Sequence, residues 1–487
     1  MIFDFWRKVA GQHPDQIAVV DGSQRITYGE LLSRVQATRE WLRRTIDPKP
    51  GDVIAVALEN SWEFVACFFA ASELGAVPAL CNPRWRAGEL RSLATRLGFR
   101  AAVIESGAAS EWHQILDLLP KANLLTMDKV QIGSGGSLSL PVDSFSEQAP
   151  ACYLFTSGST GAPRVVPRSH GNLLAVAESV GETLRIGPAR RFLSVVPFFS
   201  SNGFHNGLLV PLLRGATVVT ARQFSPGACV ELAQREKVDT LFGSPFIFGC
   251  LADSNLDKAP LASLQYCFSG GARLAPNVAG SWRDRFGISI RQNYGMSETG
   301  LITVELTAPT QESSLGTCVG EPARNVEVAI VGTGGERLGI GEAGELAVRS
   351  ASVMAGYFRE PELNRTCFHD GFFRTGDLGC FDATGRVYLT GRQGRGINIA
   401  GTKVDPVEVE TVVEMLPNVA SCHVDAVPND QGGAVLRARV VPLAGRPVTR
   451  REIIEQCRTQ LAEYKLPRII EFLETSPATI AGKIPRH

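Results

Sequence analysis

The chain has 487 residues, of which 44% are apolar and 20% charged, with 49 basic side chains against 49 acidic ones. Its length allows more than one domain and a large core, while zero formal charge excludes a protein whose main work is holding nucleic acid, which carries a basic excess or stripe. The 11 cysteines are scattered, without Cys-x-x-Cys pairs or zinc spacing, and read as buried thiols of a reducing compartment.

The opening stretch MIFDFWRKVAGQHPDQ carries charges at Asp4, Arg7 and Lys8 and has no apolar signal core. The longest apolar run, residues 64–72, is too short to span a bilayer, so the expectation is a cytoplasmic protein with no membrane span. From Asp52 onward, short β-branched runs alternate with helical patterns. VIAVAL (53–58) predicts a buried strand, and SWEFVACFFAASELG a helix with Ser61 as N-cap, Glu63 in its first turn and Gly75 at its end. AAVI (101–104), RFLSVV (191–196), ATVVT (216–220) and YCF (266–268) predict further strands. Such alternation argues for an α/β fold with parallel-type sheets flanked by helices.

A Gly/Ser-rich spacer, QIGSGGSLSL (131–140), leads to YLFTSGSTGAPRVVPRSHGN (153–172). Small residues let a backbone approach a ligand closely, hydroxyls add donors, and Arg164 adds fixed charge, a combination suited to phosphate oxygens. Taken alone, the stretch reads equally as a surface turn. Near Gly320 the texture changes to short strands, VEVAIV, GELAVRS and GRVYLTGR, which predict a smaller β-rich subdomain. The tail after Arg392 holds a helix opening at Asp405–Pro406, two strand-like runs (SCHVDAV and AVLRARVV) and the helix TRREIIEQCRTQLAEY, enough for a small α+β domain. The boundary falls in GRQGRG (391–396), giving domains 1–391 and 392–487.

Some motifs are decoys. GIGEAG (339–344) matches the dinucleotide fingerprint, but a strand pattern follows it where that fingerprint needs a helix. GMSET (295–299) lacks the last glycine of a nucleophile elbow, and no Walker A motif occurs.

Other stretches change the reading of the small-residue loop. SGGA (269–272), QNYGMSETG (292–300), RTGD (374–377), TGR (390–392) and AGKIPRH (481–487) together supply phosphate donors, a base platform, ribose partners, a metal ligand and a cation. In this order, and with TYGEL (27–31) and GYFREPELNRTCFHDGFFRTGDLG, they resemble the adenylate-forming superfamily of acyl-CoA synthetases, peptide-synthetase adenylation domains and firefly luciferases.

The resemblance implies ATP-dependent formation of an acyl adenylate from a small-molecule carboxylic acid, then transfer to a thiol, either CoA or a carrier protein's phosphopantetheine. Transfer to an amine is the alternative. It implies that Thr156, Ser157, Gly158, Ser159, Thr160, Gly161 and Arg164 hold phosphate, and that Tyr294 lies against adenine with Gly270, Gly271 and Ala272 on the other side. Asn293 would read the adenine edge, Ser297 the α-phosphate, Glu298 Mg²⁺, and Asp377 and Arg392 the ribose. Lys483 would be the adenylation cation on a C-terminal domain that rotates between half-reactions, the second of which would use a loop around Gly401. Ser200, Asn202, His205 and Gly295 would border the acyl group.

The chain departs from the family pattern at Arg164 (usually lysine), Ser200 (often histidine), Arg273 (often proline) and Gly394 (usually Asp or Lys). SNGFHNGL contains no acid to pair with an α-amine, which favours an acid without one. Singly, each residue has a plain structural explanation: Glu298 as a cap, Asp377 as a turn residue, His205 as an ordinary helix residue.

Overall fold

The computed structural model describes residues 1–474 apart from 86, 106, 108, 117–122, 128–145, 157–162, 254–260, 308–316, 394–396, 400, 401, 405, 429–433, 444 and 462. Strand Val53–Ala57 is buried along its whole length, as a parallel strand covered on both faces must be. The helix Trp62–Glu73 follows it, and the Ser61 hydroxyl accepts from the Phe64 N–H at 3.3 Å, the predicted cap.

The longest sheet begins with the edge strand Gln24–Thr27. It continues through Ile17–Asp21, Thr217–Thr220, Arg191–Ser194, Thr240–Gly243, Tyr266–Ser269 and Ile290–Met296, which all run parallel. Direction reverses at the hairpin from Ile290–Met296 to Gly300–Val304, and the strands beyond it pair antiparallel. The expected β-rich subdomain is thus a continuation of the same strand order, and its switch lies ahead of Gly320. GIGEAG forms a turn before strand Gly344–Arg349, as expected.

A second sheet orders Asn123–Thr126, Phe99–Ile104, Val53–Ala57, Val77–Leu80 and Pro150–Thr156 in parallel, with Arg164–Ser169 antiparallel at its edge. Helices Ile2–Gln12, Tyr28–Ile46, Trp62–Glu73 and His170–Thr183 fill the space between the two sheets, and one apolar cluster draws on both. Trp6 stacks on Phe69 there, with centroids 4.3 Å apart. Separate clusters cover the outer faces.

The C-terminal part has its own core. Strands Val419–Pro428, Ala434–Pro442 and Ile469–Phe472 form a three-stranded sheet, packed with helices Pro406–Glu414 and Arg450–Gln460. The expected N-cap Asp405 lies outside the described residues. An ion pair joins this part to the large sheet: Arg273, just beyond strand Tyr266–Ser269, donates to the Glu414 carboxylate. Glu414 also accepts from the Cys422 N–H at 2.9 Å. No described helix is long and apolar enough to cross a membrane.

Candidate active site

Strand Pro150–Thr156 carries a buried apolar run, Ala151–Leu154, and delivers Thr156 at its end, opposite Arg164 on the returning strand. The connecting Ser157, Gly158, Ser159, Thr160 and Gly161 lie outside the described residues, as do Lys483, Gly394 and Gly401. Arg164 lies over the Tyr357 ring, 5.7 Å from its centroid. The Tyr357 hydroxyl donates to Glu298 Oε1 at 2.8 Å. Burial, then the Glu298 charge, push the phenol's pKa up, so Tyr357 remains the donor.

Glu298 sits in the turn between strands Ile290–Met296 and Gly300–Val304, where the sheet changes direction. Ser297 and Glu298 are both buried. The Glu298 carbonyl accepts from the Met354 N–H at 2.8 Å, and the Ser297 carbonyl from Arg168 Nη1 at 2.8 Å. Arg168, on strand Arg164–Ser169, is fully buried and also donates to the Ser352 carbonyl at 2.6 Å. Burial lowers its pKa to about 10, so it stays charged at neutral pH. Asn172, in the first turn of the following helix, donates to the Ala351 and Val353 carbonyls at 2.8 and 2.9 Å. Tyr357 is itself fixed by Asn364, which accepts from its N–H at 2.7 Å and donates to its carbonyl at 2.9 Å.

A second cluster forms where Ile290–Met296 nears the antiparallel strands. The Tyr294 hydroxyl donates to Asp377 Oδ2 at 2.6 Å, and Arg392 Nε lies 3.5 Å from Asp377 Oδ1 across the ladder. Asn293 is buried, and its Oδ1 lacks a partner among the described residues. A methyl group at Gly270 would come 2.7 Å from that atom, so only glycine leaves Asn293 in place. Gly271, Ala272 and Gly295 are exposed nearby.

The segment after Phe199 forms a wide π-helical turn, Gly203–Leu209. Pro211 has no N–H, and the Gly207 carbonyl accepts instead from the Ser194 hydroxyl at 2.5 Å. Ser200 caps the turn, donating to the Pro197 carbonyl at 2.7 Å and accepting from the Gly203 N–H at 3.3 Å. Asn202 accepts from Asn206 at 2.9 Å. His205 is buried, its Nε2 without a partner among the described residues, and burial, then the Arg168 charge, keep it neutral.

The structure therefore brings Arg164, Ser297 and Glu298 to one place, at the end of strand Ile290–Met296, and Tyr294, Asp377 and Arg392 to another, where that strand nears the antiparallel ones. Arg168, Asn172 and Tyr357 were not singled out from sequence, although GYFREPELN contained Tyr357 and its partner Asn364. Glu298 suits a magnesium ion held mainly by a nucleotide: among the described residues it is a buried carboxylate with no ion pair, and no cluster of three or more metal-ligating side chains occurs.

Comparison with known proteins identifies the family. Residues 6–358 match the model for AMP-binding enzymes, and residues 408–483 match that for the AMP-binding enzyme C-terminal domain. The chain belongs to this family and is an adenylate-forming enzyme of the acid–thiol ligase class. A feruloyl-CoA synthase from Amycolatopsis is 30% identical over 485 residues, covering 98% of this chain and 95% of its own. ATP-bound MatB from Rhodopseudomonas palustris superposes with TM-score 0.87 at 25% identity, over 99% of this chain and 97% of its own. The amide bond synthetase McbA from Marinactinospora thermotolerans does so with TM-score 0.87 at 27% identity, over 99% and 98%.

Proposed function

We propose that the protein activates a carboxylic acid with ATP and passes the acyl group to the thiol of CoA. The observation that carries this reading is the convergence of Arg164, Tyr357 and Glu298 where the small-residue loop returns, next to the Tyr294–Asp377–Arg392 cluster. A carboxylate oxygen attacks the α-phosphorus and pyrophosphate leaves. The thiol sulfur then attacks the acyl carbon, the thiol proton is lost and AMP departs. Adenylation matters because an ionised carboxylate is a poor electrophile, whereas its mixed anhydride with AMP has a good leaving group.

In this reading Thr156 to Gly161 and Arg164 hold the β- and γ-phosphates, and Asn293, Tyr294, Gly270, Gly271 and Ala272 surround adenine. Asp377 and Arg392 hold the ribose. Ser297 faces the α-phosphate, and Lys483 donates to the oxygens on which charge moves. Glu298 holds Mg²⁺, which neutralises phosphate charge when bound. Ser200, Asn202, His205 and Gly295 border the acyl group. Residues 1–391 and 392–487 form the two domains, the second rotating to exchange Lys483 for the segment around Gly401. The likeness to an amide bond synthetase supports a second reading, in which the acceptor is an amine. A carrier-protein thiol is the third acceptor to test.

The test is carboxylate-dependent ATP–pyrophosphate exchange over aromatic, aliphatic and amino acids, first without CoA and then with it. Exchange with one acid class, followed by AMP and thioester once CoA is added, is the expected result. Exchange without thioester would move the acceptor to an amine or a carrier protein. No exchange with any acid would overturn the proposal. Lys483→Ala is expected to slow exchange by roughly 10²-fold or more, the scale for losing a donor to developing charge.

A further inference from the structure

We propose that Arg168, together with Asn172, is a positioning residue of the nucleotide site. It fastens the Ser297–Glu298 turn to the strand that leaves the phosphate loop, so that the Glu298 carboxylate is preset for the magnesium that accompanies ATP. This rests on the nucleotide-site reading above.

Arg168 is an odd residue to bury. Its exposure is 0%, and its partners within hydrogen-bond reach are two main-chain carbonyls, Ser297 and Ser352, which lie 129 and 184 residues away in sequence. Among the described residues no carboxylate pairs with it directly, and its Nε has no partner. Its charge also acts on the buried, neutral His205, whose Nε2 has no partner among the described residues. An apolar residue of similar volume would be cheaper to bury, so stability alone does not call for a guanidinium here. What arginine adds is a rigid fork of donors that can hold two carbonyls at fixed separation.

Both carbonyls belong to segments that hold Glu298. One is its own turn. The other, 351–354, carries the Met354 N–H that donates to the Glu298 carbonyl. Asn172 grips that segment at Ala351 and Val353, and Tyr357 just beyond it donates to the Glu298 carboxylate. Arg168 and Asn172 flank the strand–helix junction four residues apart, and the same strand begins at Arg164, where the phosphate loop returns. The strand that begins at Arg164, the Glu298 turn and the 351–357 segment are thereby held to one base. Groups that orient a metal ligand typically change metal affinity by 10–100-fold when removed.

The experiment is ATP titration by calorimetry, in excess Mg²⁺ and again in EDTA, with the full-length protein. The wild type is expected to bind ATP more tightly with Mg²⁺. Arg168→Lys keeps the charge but cannot hold both carbonyls. It and Asn172→Ala are each expected to lose about tenfold of the Mg²⁺-dependent gain, while affinity in EDTA stays within about twofold of wild type. A general loss of stability would not move this ratio. If Arg168→Lys fails to fold, Asn172→Ala and Tyr357→Phe carry the test. Their combined loss should be smaller than the product of the single losses, because both act through Glu298. Wild-type ratios in the variants, or equal losses in both buffers, would overturn the inference alone. No ATP binding by the wild type would overturn the nucleotide site as well.

Discussion

Tyr294 and Asp377 make a donor–acceptor pair whose direction is set by burial. Burial, and after it the Asp377 charge, push the Tyr294 phenol far above its ordinary pKa, so it donates at any pH the fold survives. Tyr294→Phe would leave Asp377 with Arg392 alone. The KM for ATP should rise on the order of fivefold with little change in kcat, as expected for a lost bond to a charged group that positions substrate. A drop in kcat at unchanged KM would contradict that assignment. At this scale the sequence drew attention to charged groups such as Glu298, Asp377 and Arg392, because they lie in short glycine-containing motifs. It could not show Arg168, Asn172 or Tyr357. Those act on main-chain carbonyls or on another side chain, and the contacts of Arg168 span 129 and 184 residues, so nothing local marks them.

Among the elements, the π-helical turn Gly203–Leu209 makes a sharp demand on residue size. A methyl group at Gly203 would come 2.1 Å from the Pro197 carbonyl oxygen, and that backbone has little room to retreat. At Gly207 the nearest atoms, on Ser194, are 3.6 Å away. Gly203→Ala should therefore destabilise by about 3 kcal/mol or more. Gly207→Ala should stay within about 1 kcal/mol of wild type, since alanine favours the helix. Urea unfolding midpoints decide the matter, and similar values for the two variants would show the turn to be pliant. The buried parallel strands were legible because they read as short continuous apolar runs. The sheet's change of direction was not, because the hairpin at 297–299 looks locally like any turn. Only pairing with distant strands turns it into the seam on which Glu298 rides.

For the molecule as a whole, the Arg273–Glu414 pair joins two separately cored parts, and burial brings its carboxyl toward neutrality. Burial raises the Glu414 carboxyl from 4.5 to about 7, against the pull of Arg273 and the Cys422 N–H. Because the folded value is the higher one, protonated Glu414 favours the fold fully below pH 4.5. That contribution falls away as the pH rises through about 7, by an amount on the order of 3 kcal/mol. Melting temperatures of wild type and Glu414→Gln, compared from pH 5 to 8, should therefore show the wild type losing ground as pH rises. A difference that stays flat would mean that the carboxylate is solvated in the folded protein. The long sheet has a further consequence, for biosynthesis. Strand Ile17–Asp21 pairs with Thr217–Thr220, and the Thr217 hydroxyl donates to the Ile17 carbonyl 200 residues back along the chain. At about 5–20 residues per second a ribosome needs roughly 10–40 s to supply that partner. Throughout that interval the strand has its neighbour Gln24–Thr27 on one edge, while the edge that Thr217–Thr220 will cover stays unpaired. The nascent chain is thus most open to aggregation before residue 220 emerges.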